Sequence, residues 1–367
     1  MAKQQSPISD KGLNSLKMKV ELQKKQVKVL AFAPYLSAGF AFLIGAIILS
    51  FSGVDPIVAY GVMIKGAFGS IRTISDTLVK TTSLLLAGLA VALAFKCRIW
   101  NIGAEGQLYM GALGAALAGI SVIGTVPILG VSIALIAGFI FGASIGLVPA
   151  VLKVKLGVNE IIITVLLNFV VLLFITYLLH GPIKAPGFNP YSPEIFPQSQ
   201  LPIILSHTRL HAGIIVAALV TIAMYLLLSK TKIGFEIKSV GANIRAARYA
   251  GMNVSKSILV VMAISGGIAG LAGAVLVTGV QHYLIEGISP GYGFIAVIVA
   301  LLGRQHPLGV AIVAFFFAAL ISGSEVMYRT LGIPSSFAPT LQALVLIFVL
   351  VGELFTRLPA IKRRSVI

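Results

Sequence analysis

The sequence predicts an all-α protein that crosses a membrane about ten times, with both termini on the cytoplasmic side. Three observations predict it. The 367 residues are 58% hydrophobic, against roughly 45–50% for soluble domains. Several apolar runs reach the ~20 residues that cross ~30 Å of hydrocarbon as a helix. Most of the 28 lysines and arginines lie in alternate loops between those runs, the asymmetry that holds cationic segments on the cytoplasmic side. The formal net charge of +17 would suit nucleic acid, but membrane topology accounts for it more simply, and no nucleic-acid partner is expected. The single cysteine, Cys97, excludes an internal disulfide and any thiolate metal site.

Residues 1–28 are lysine-rich, with no small-residue cleavage site beyond them, and read as a cytoplasmic tail rather than a cleaved signal. A membrane domain over 29–356 follows. Val29–Phe51 is the first span, and an amphipathic piece around Ile57–Phe68 lies along the outer surface. Asp76–Lys96 is the second span, closed by Lys96 and Arg98. Ala104–Gly124 and Ile128–Leu152 are the third and fourth, divided at Thr125–Pro127. The fourth carries Gly138, Gly142 and Gly146 at four-residue spacing, a face for close helix contact. Val158–His180 is the fifth span. The proline-rich stretch 181–212, with no strong helical period, is an outer loop.

Gly213–Ser229 is the sixth span, and 230–256 is a basic cytoplasmic loop. Ser257–Gly279, again rich in small residues (Gly266, Gly267, Gly270, Gly273), is the seventh. Gly293–Gly303 is too short to cross as a straight helix and is expected to be a half-helix or an extension of the loop before it. His306–Tyr328 and Ala338–Phe355 complete the ten, and 357–367 is a basic cytoplasmic tail. An internal echo links Pro127-Ile-Leu-Gly130, an apolar helix and Gly157-Val158 with Pro307-Leu-Gly309, an apolar helix and Gly332-Ile333. The two prolines fall on opposite sides of the membrane, so the echo predicts an inverted repeat, an arrangement that puts a solute path near the midplane beside broken helices.

The basic loop carries a helix of its own. Ile244–Ala250 reads as two turns, with Asn243 at the N-cap and Gly251 where a helix ends in the left-handed conformation. Arg245 and Arg248 share one side, and Ile244 and Ala247 a neighbouring one. A short, capped, basic helix between two spans suits docking; the blander alternative is a solvated loop that only marks topology. Two polar clusters fall where hydrocarbon should be. One is Asn101-Ile-Gly-Ala-Glu105-Gly-Gln107-Leu-Tyr109. The other is Glu160, Thr164 and Asn168, spaced i, i+4, i+8 on one helical face, which puts Asn168 near the bilayer centre. Polar groups at that depth face a bundle interior or an aqueous path, and interhelical hydrogen bonding is the alternative.

Catalytic signatures are missing. There is no Gly-x-x-x-x-Gly-Lys-Ser/Thr phosphate loop, no His-Glu-x-x-His and no Gly-x-Ser-x-Gly. His207 and His211 are four apart without a third ligand, so no metal site, cofactor or catalytic residue is expected.

The stretches NIGAEGQ (Asn101–Gln107), GVNE (Gly157–Glu160) with Asn168, and GANIRAARYAG (Gly241–Gly251) occur in this order in a known group. From Val29 onward the chain resembles permease subunits of ABC importers for nucleosides and simple sugars, within the ribose and branched-chain amino-acid permease superfamily, the nucleoside branch closest. The resemblance implies that Gly241–Gly251, with Asn243, Arg245, Ala247, Arg248 and Gly251, is a coupling helix that docks on a separate ATPase chain. It also implies a substrate-binding lipoprotein at the outer loops, a second permease chain (identical or related), and alternating access driven by ATP in the partner. Candidates for the solute path are Asn101, Glu105, Gln107, Tyr109, Glu160, Thr164, Asn168 and Phe169, with purine nucleosides such as guanosine the expected solutes. A simple-sugar permease, an ion-coupled carrier using Glu105 and Glu160, and a membrane-embedded enzyme or assembly factor stand as alternatives.

Overall fold

The computed structural model describes residues 39–121, 129–334 and 336–364. The tail over 1–28, residues 29–38 of the first span, the Thr125–Pro127 boundary and residues 365–367 lie outside the described residues. The described residues are helical and carry only two isolated β-bridges, Tyr191 with Ile285 and Ile203 with His211.

The chain divides into two compact units, residues up to Tyr60 with those from Leu331, and Gly61–Thr330. In the first lies α1 (Gly39–Phe51), and α2 (Pro56–Phe68) begins there and passes into the second. The Tyr60 hydroxyl donates to the Phe42 carbonyl at 2.6 Å, and Phe40 stacks on Phe348 of α13 (Phe337–Arg364). That last helix runs past the expected end of the tenth span at Phe355.

The second unit holds α3 (Ile71–Lys96), α4 (Ala104–Ile120), α5 (Leu129–Leu156), α6 (Glu160–His180), α7 (Gly213–Lys230), α8 (Lys232–Ala242), α9 (Ile244–Tyr249), α10 (Val254–Leu276) with a π-helical turn over Val277–Gln281, α11 (Tyr292–Leu302) and α12 (Pro307–Leu331). Its core is α10 laid against α5, α4 and α3. The small-residue faces expected to pack closely do meet: a Cβ added at Gly142 would stand 2.6 Å from the Gly270 Cα, and one at Gly266 2.9 Å from the Gly146 Cα. Without side chains in the way, the α5 and α10 backbones touch, the van der Waals contact that holds helices together where lipid offers no hydrophobic drive.

Six helices among the described residues are long and apolar enough to cross a membrane, or up to seven if the bent α1–α2 pair is one span. The expected ten are not reached, because α4 has 17 residues, α11 has 11, and the apolar part of α13 covers only Phe337–Val349. For α4 and α11 the reason is where they begin. After α3 ends, the chain over Arg98–Gly103 turns back into the bundle, and Asn101 reaches Ser265, which in turn bonds the Ala90 carbonyl in the last third of α3. α4 therefore starts inside. α11 starts against it, since a Cβ on Gly293 would fall onto the backbone of Glu105. The expectation of a half-helix at Gly293–Gly303 matches α11; the full third span expected at Ala104–Gly124 is instead a helix begun within the bundle.

Candidate functional site

A helix that starts inside a membrane bundle leaves its first N–H groups without water or a preceding turn, and non-helical backbone survives at that depth only where protein satisfies it. The two polar clusters meet this demand. Asn168 of α6 accepts from the Gly106 N–H at 2.8 Å and donates to the Ile102 carbonyl at 2.9 Å. Asn101 donates to Gln107 Oε1 (2.9 Å) and Ser265 Oγ (2.9 Å), Gln107 Nε2 donates back to Asn101 Oδ1 (3.0 Å), and the Gly103 N–H adds a bond to the same oxygen. Glu105 accepts from the Gly293 N–H at 2.6 Å, a carboxylate at a helix N-terminus, where the peptide dipoles favour negative charge. Tyr109 donates to the Ser289 carbonyl at 3.4 Å. Thr164 bonds back to the Glu160 carbonyl, and Glu160 pairs with Lys153 of α5.

Asn101, Glu105, Gln107, Tyr109, Glu160, Thr164 and Asn168 are all buried. The structure thus gathers seven of the eight candidate path residues into the packing around α4. Phe169 lies off that face of α6 and is 56% exposed.

A cavity of about 740 Å³ opens elsewhere in the same unit, lined by none of the eight. Its charged wall is Arg72, Asp76 and Lys80 of α3, Glu325 and Arg329 of α12, and Arg209 from the loop before α7. Lys80 pairs with Glu325 at 2.6 Å, and Arg329 reaches the same carboxylate at 3.8 Å. Ile288, Pro290 and Tyr292 close another side. Glu105 and Tyr109 hold that 288–293 stretch from behind, so two of the expected path residues shape the cavity without lining it.

The loop over 181–212 is fastened beside the cavity. Leu201 N–H donates to the Thr278 carbonyl, Ile195 N–H to that of His282, and Ser192 N–H to that of Leu284, all between 2.8 and 3.0 Å. His211 is 1% exposed. Burial pushes its imidazole down to about 4, and the neighbouring His282 pushes in the same direction. His282 is itself lowered by burial, with Glu194 acting against the shift.

At the other end of α3 and α10 sits α9, built as its sequence predicts. Asn243 accepts from the N–H groups of Arg245 (3.0 Å) and Ala246 (3.1 Å). Gly251 has φ +80°, and the Gly251 and Met252 N–H groups bond the Arg248 and Ala247 carbonyls, a Schellman closure that only glycine enters without strain. Ala247 is buried, while Arg245, Arg248 and Tyr249 stand exposed, Tyr249 at 94%. The preceding helix is seated as firmly: a Cβ at Gly241 would collide with the Lys96 carbonyl oxygen at the end of α3.

Residues 73–351 match the family described as branched-chain amino acid transport system, permease component. The chain belongs to that family. The permease is 36% identical over 88% of its length to the glucose ABC transporter permease protein TsgB13 of Haloferax volcanii, covering 88% of that chain. It is 34% identical to the guanosine ABC transporter permease protein NupP of Bacillus subtilis, over 86% of its own length and 92% of the relative's. With the nucleoside ABC transporter permease protein NupB of Lactococcus lactis it shares 31% identity, over 90% and 93% of the two chains. No solved structure matches. The permease is a multi-pass protein of the cell membrane and a transport subunit of an ABC system.

The α3 ladder of Arg72, Asp76 and Lys80 was missed by sequence reasoning, although its signal was present: the same i, i+4, i+8 spacing that drew attention to α6.

Proposed function

We propose that the permease carries purine nucleosides into the cell, powered by a separate ATPase chain that docks on α9. The observation that carries this reading is the layout of unit two. The charged cavity and the capped basic helix lie at opposite ends of the same two helices, α3 and α10. α3 has 26 residues, ~39 Å at 1.5 Å per residue. Arg72 at its start lines the cavity, and Lys96 at its end touches Gly241. A partner that binds α9 differently in two nucleotide states can bias the cavity end, and only such differential binding can drive alternation.

Orientation follows from charge. Lys96, Arg98, Lys153, Lys155 and the cations of 230–256 fall at the α9 end, which is cytoplasmic by the positive-inside asymmetry, so the cavity faces out; the lysine-rich sequence of 1–28 and the basic sequence of 357–367 favour the cytoplasmic side for both termini by the same rule. A substrate-binding lipoprotein would meet the 181–212 and 281–291 loops. A second permease chain and lipid would share the exposed apolar faces of α5, α6 and α7, where Ile140, Leu166, Leu173 and Leu219 are more than half exposed. The opposed courses of α4 and α11, begun side by side, support ten membrane-embedded segments in an inverted repeat. Guanosine and nucleoside permeases among the relatives support the solute class. The glucose permease at 36% identity supports a second reading, a simple sugar. Glu105 and Glu160 are engaged by Gly293 and Lys153, which gives an ion-coupled carrier little support.

The test is purification of the tagged permease from its native membrane in mild detergent, with co-purifying chains identified by mass spectrometry. An ATPase with a phosphate loop, a lipoprotein and a second permease chain are expected. Arg248→Glu and Gly251→Pro should each lower nucleoside uptake at least tenfold with the chain still inserted. Normal uptake in both variants would remove the docking role, and ATP-independent nucleoside transport by the chain alone would establish a carrier.

A further inference from the structure

The charged groups of the cavity are not equivalent. Lys80, 17% exposed, and Arg329 both lean on Glu325. Arg72, Asp76 and Arg209 have no ion-pair or side-chain hydrogen-bond partner among the described residues, and of these Arg72 and Asp76 lie one turn apart on α3 and line the same space. Asp76 is half-buried in the cavity and Arg72 stands exposed at its rim, so both are free to pair with a solute that enters. Their separation along the helix is ~6 Å. The carboxylate is an acceptor only, and the guanidinium a fork of donors only. A solute that satisfies both must offer two adjacent donors and two adjacent acceptors on one small rigid frame.

Guanine does so. Its N1–H and N2–H lie side by side and suit a carboxylate, while its O6 and N7 take a guanidinium bidentately. Adenine has no donor pair on its N1–C2 edge, and a hexose offers hydroxyls of interchangeable role that need neither group specifically. We infer that Arg72 and Asp76 are the solute-reading residues of this permease, and that the base they read is a 2-amino-6-oxopurine. The inference rests on the nucleoside reading above and deepens it. Asp76 holds the donor edge, Arg72 the acceptor edge, and the Lys80–Glu325–Arg329 cluster one turn further along ties α12 to α3 and leaves Asp76 uncommitted.

The experiment compares uptake of radiolabelled guanosine and adenosine by cells that lack their own copy of the permease but keep its partner chains. The cells carry the wild type, Asp76→Asn or Asp76→Glu, with the inserted amount of each measured by immunoblot. The readout is the guanosine-to-adenosine ratio, which cancels both the expression level and the fixed selectivity of the binding protein. Asp76→Asn should lower the ratio at least tenfold, because an amide turns one acceptor into a donor facing N1–H and N2–H. Asp76→Glu should hold it within about threefold of wild type. A ratio unchanged in Asp76→Asn, or an equal fall in both solutes, overturns the inference and leaves nucleoside transport standing. Wild-type cells that take up neither nucleoside overturn the functional reading, and the inference with it. If Asp76→Asn does not reach the membrane, the same ratio is read in Arg72→Gln, which stands at the exposed start of α3. There a fall of at least threefold is expected, and an unchanged ratio again overturns the inference.

Discussion

α3 and α6 carry matching ladders. Each places three polar side chains four residues apart on one face: Arg72, Asp76 and Lys80 on α3, Glu160, Thr164 and Asn168 on α6. On α6 the ladder is spent on structure. Asn168 is completely buried and bonded at both ends of its amide, Thr164 bonds back to its own helix, and Glu160 is neutralised by Lys153. On α3 the ladder faces a cavity, and two of its three members are unpaired. Equal spacing in sequence therefore says that a face is polar and turned inward. It does not say whether packing or a solute meets it. What decides is the neighbour: α6 lies against the buried start of α4, whose stranded backbone groups take both ends of the Asn168 amide, whereas Arg72 and Asp76 of α3 face the cavity.

The comparison breaks most visibly at Asn168. Asn168→Leu keeps the branched shape, with bulkier methyl ends, and strands the Gly106 N–H and the Ile102 carbonyl. The cost should be about 2 kcal/mol, between the ~0.6 kcal/mol of an average interhelical bond in a membrane and the ~1–3 kcal/mol of each group left fully unsatisfied. A lowered melting temperature of the detergent-solubilised permease, read by size-exclusion chromatography after heating, would show it. Asp76→Asn, which removes nothing that packing uses, should leave the same melting temperature unchanged. Equal destabilisation by the two would erase the distinction between the ladders.

His211 sharpens the contrast through pH. It belongs with the sealed groups, and its folded-state value of about 4 lies below the ordinary 6.5. The unfolded chain then binds the proton more readily. Stability from this group is fully present above about pH 6.5 and is lost as pH falls towards 4, at no more than ~1.4 kcal/mol per pH unit. Melting temperature measured between pH 7 and 4.5 should decline, and His211→Gln should flatten part of the decline. An unaltered pH dependence in that variant would show that His211 is not a sealed neutral group.

Much of this was legible in the sequence, for local reasons. The caps of α9 are local: Asn243 and Gly251 announce the helix ends by chemistry that needs no partner, and both are observed in those roles. The contact between α5 and α10 could be anticipated because glycines at four-residue spacing have one obvious use in a membrane. The brevity of Gly293–Gly303 gave away α11. What could not be read was depth. Ala104–Gly124 is apolar enough to span, and nothing in its hydropathy reveals that Arg98–Gly103 has already turned into the bundle. Nor did the sequence expose the cavity. Arg72 and Asp76 sit at the start of an apolar run, where charges ordinarily mark a membrane boundary, and Glu325 and Arg329 sit near the end of another. Only assembly of α3 against α12 turns two boundaries into one wall.

The most direct test of the account is chemical accessibility, helped by the fact that the single native cysteine, Cys97, is buried. Asp76→Cys and Thr164→Cys would be treated in intact cells with a maleimide that cannot cross membranes. The account predicts that Asp76→Cys is labelled and that guanosine slows its labelling, while Thr164→Cys stays unlabelled until the protein is denatured. Labelling of Thr164→Cys with protection by guanosine, and none at Asp76→Cys, would place the solute path on α6 and contradict it.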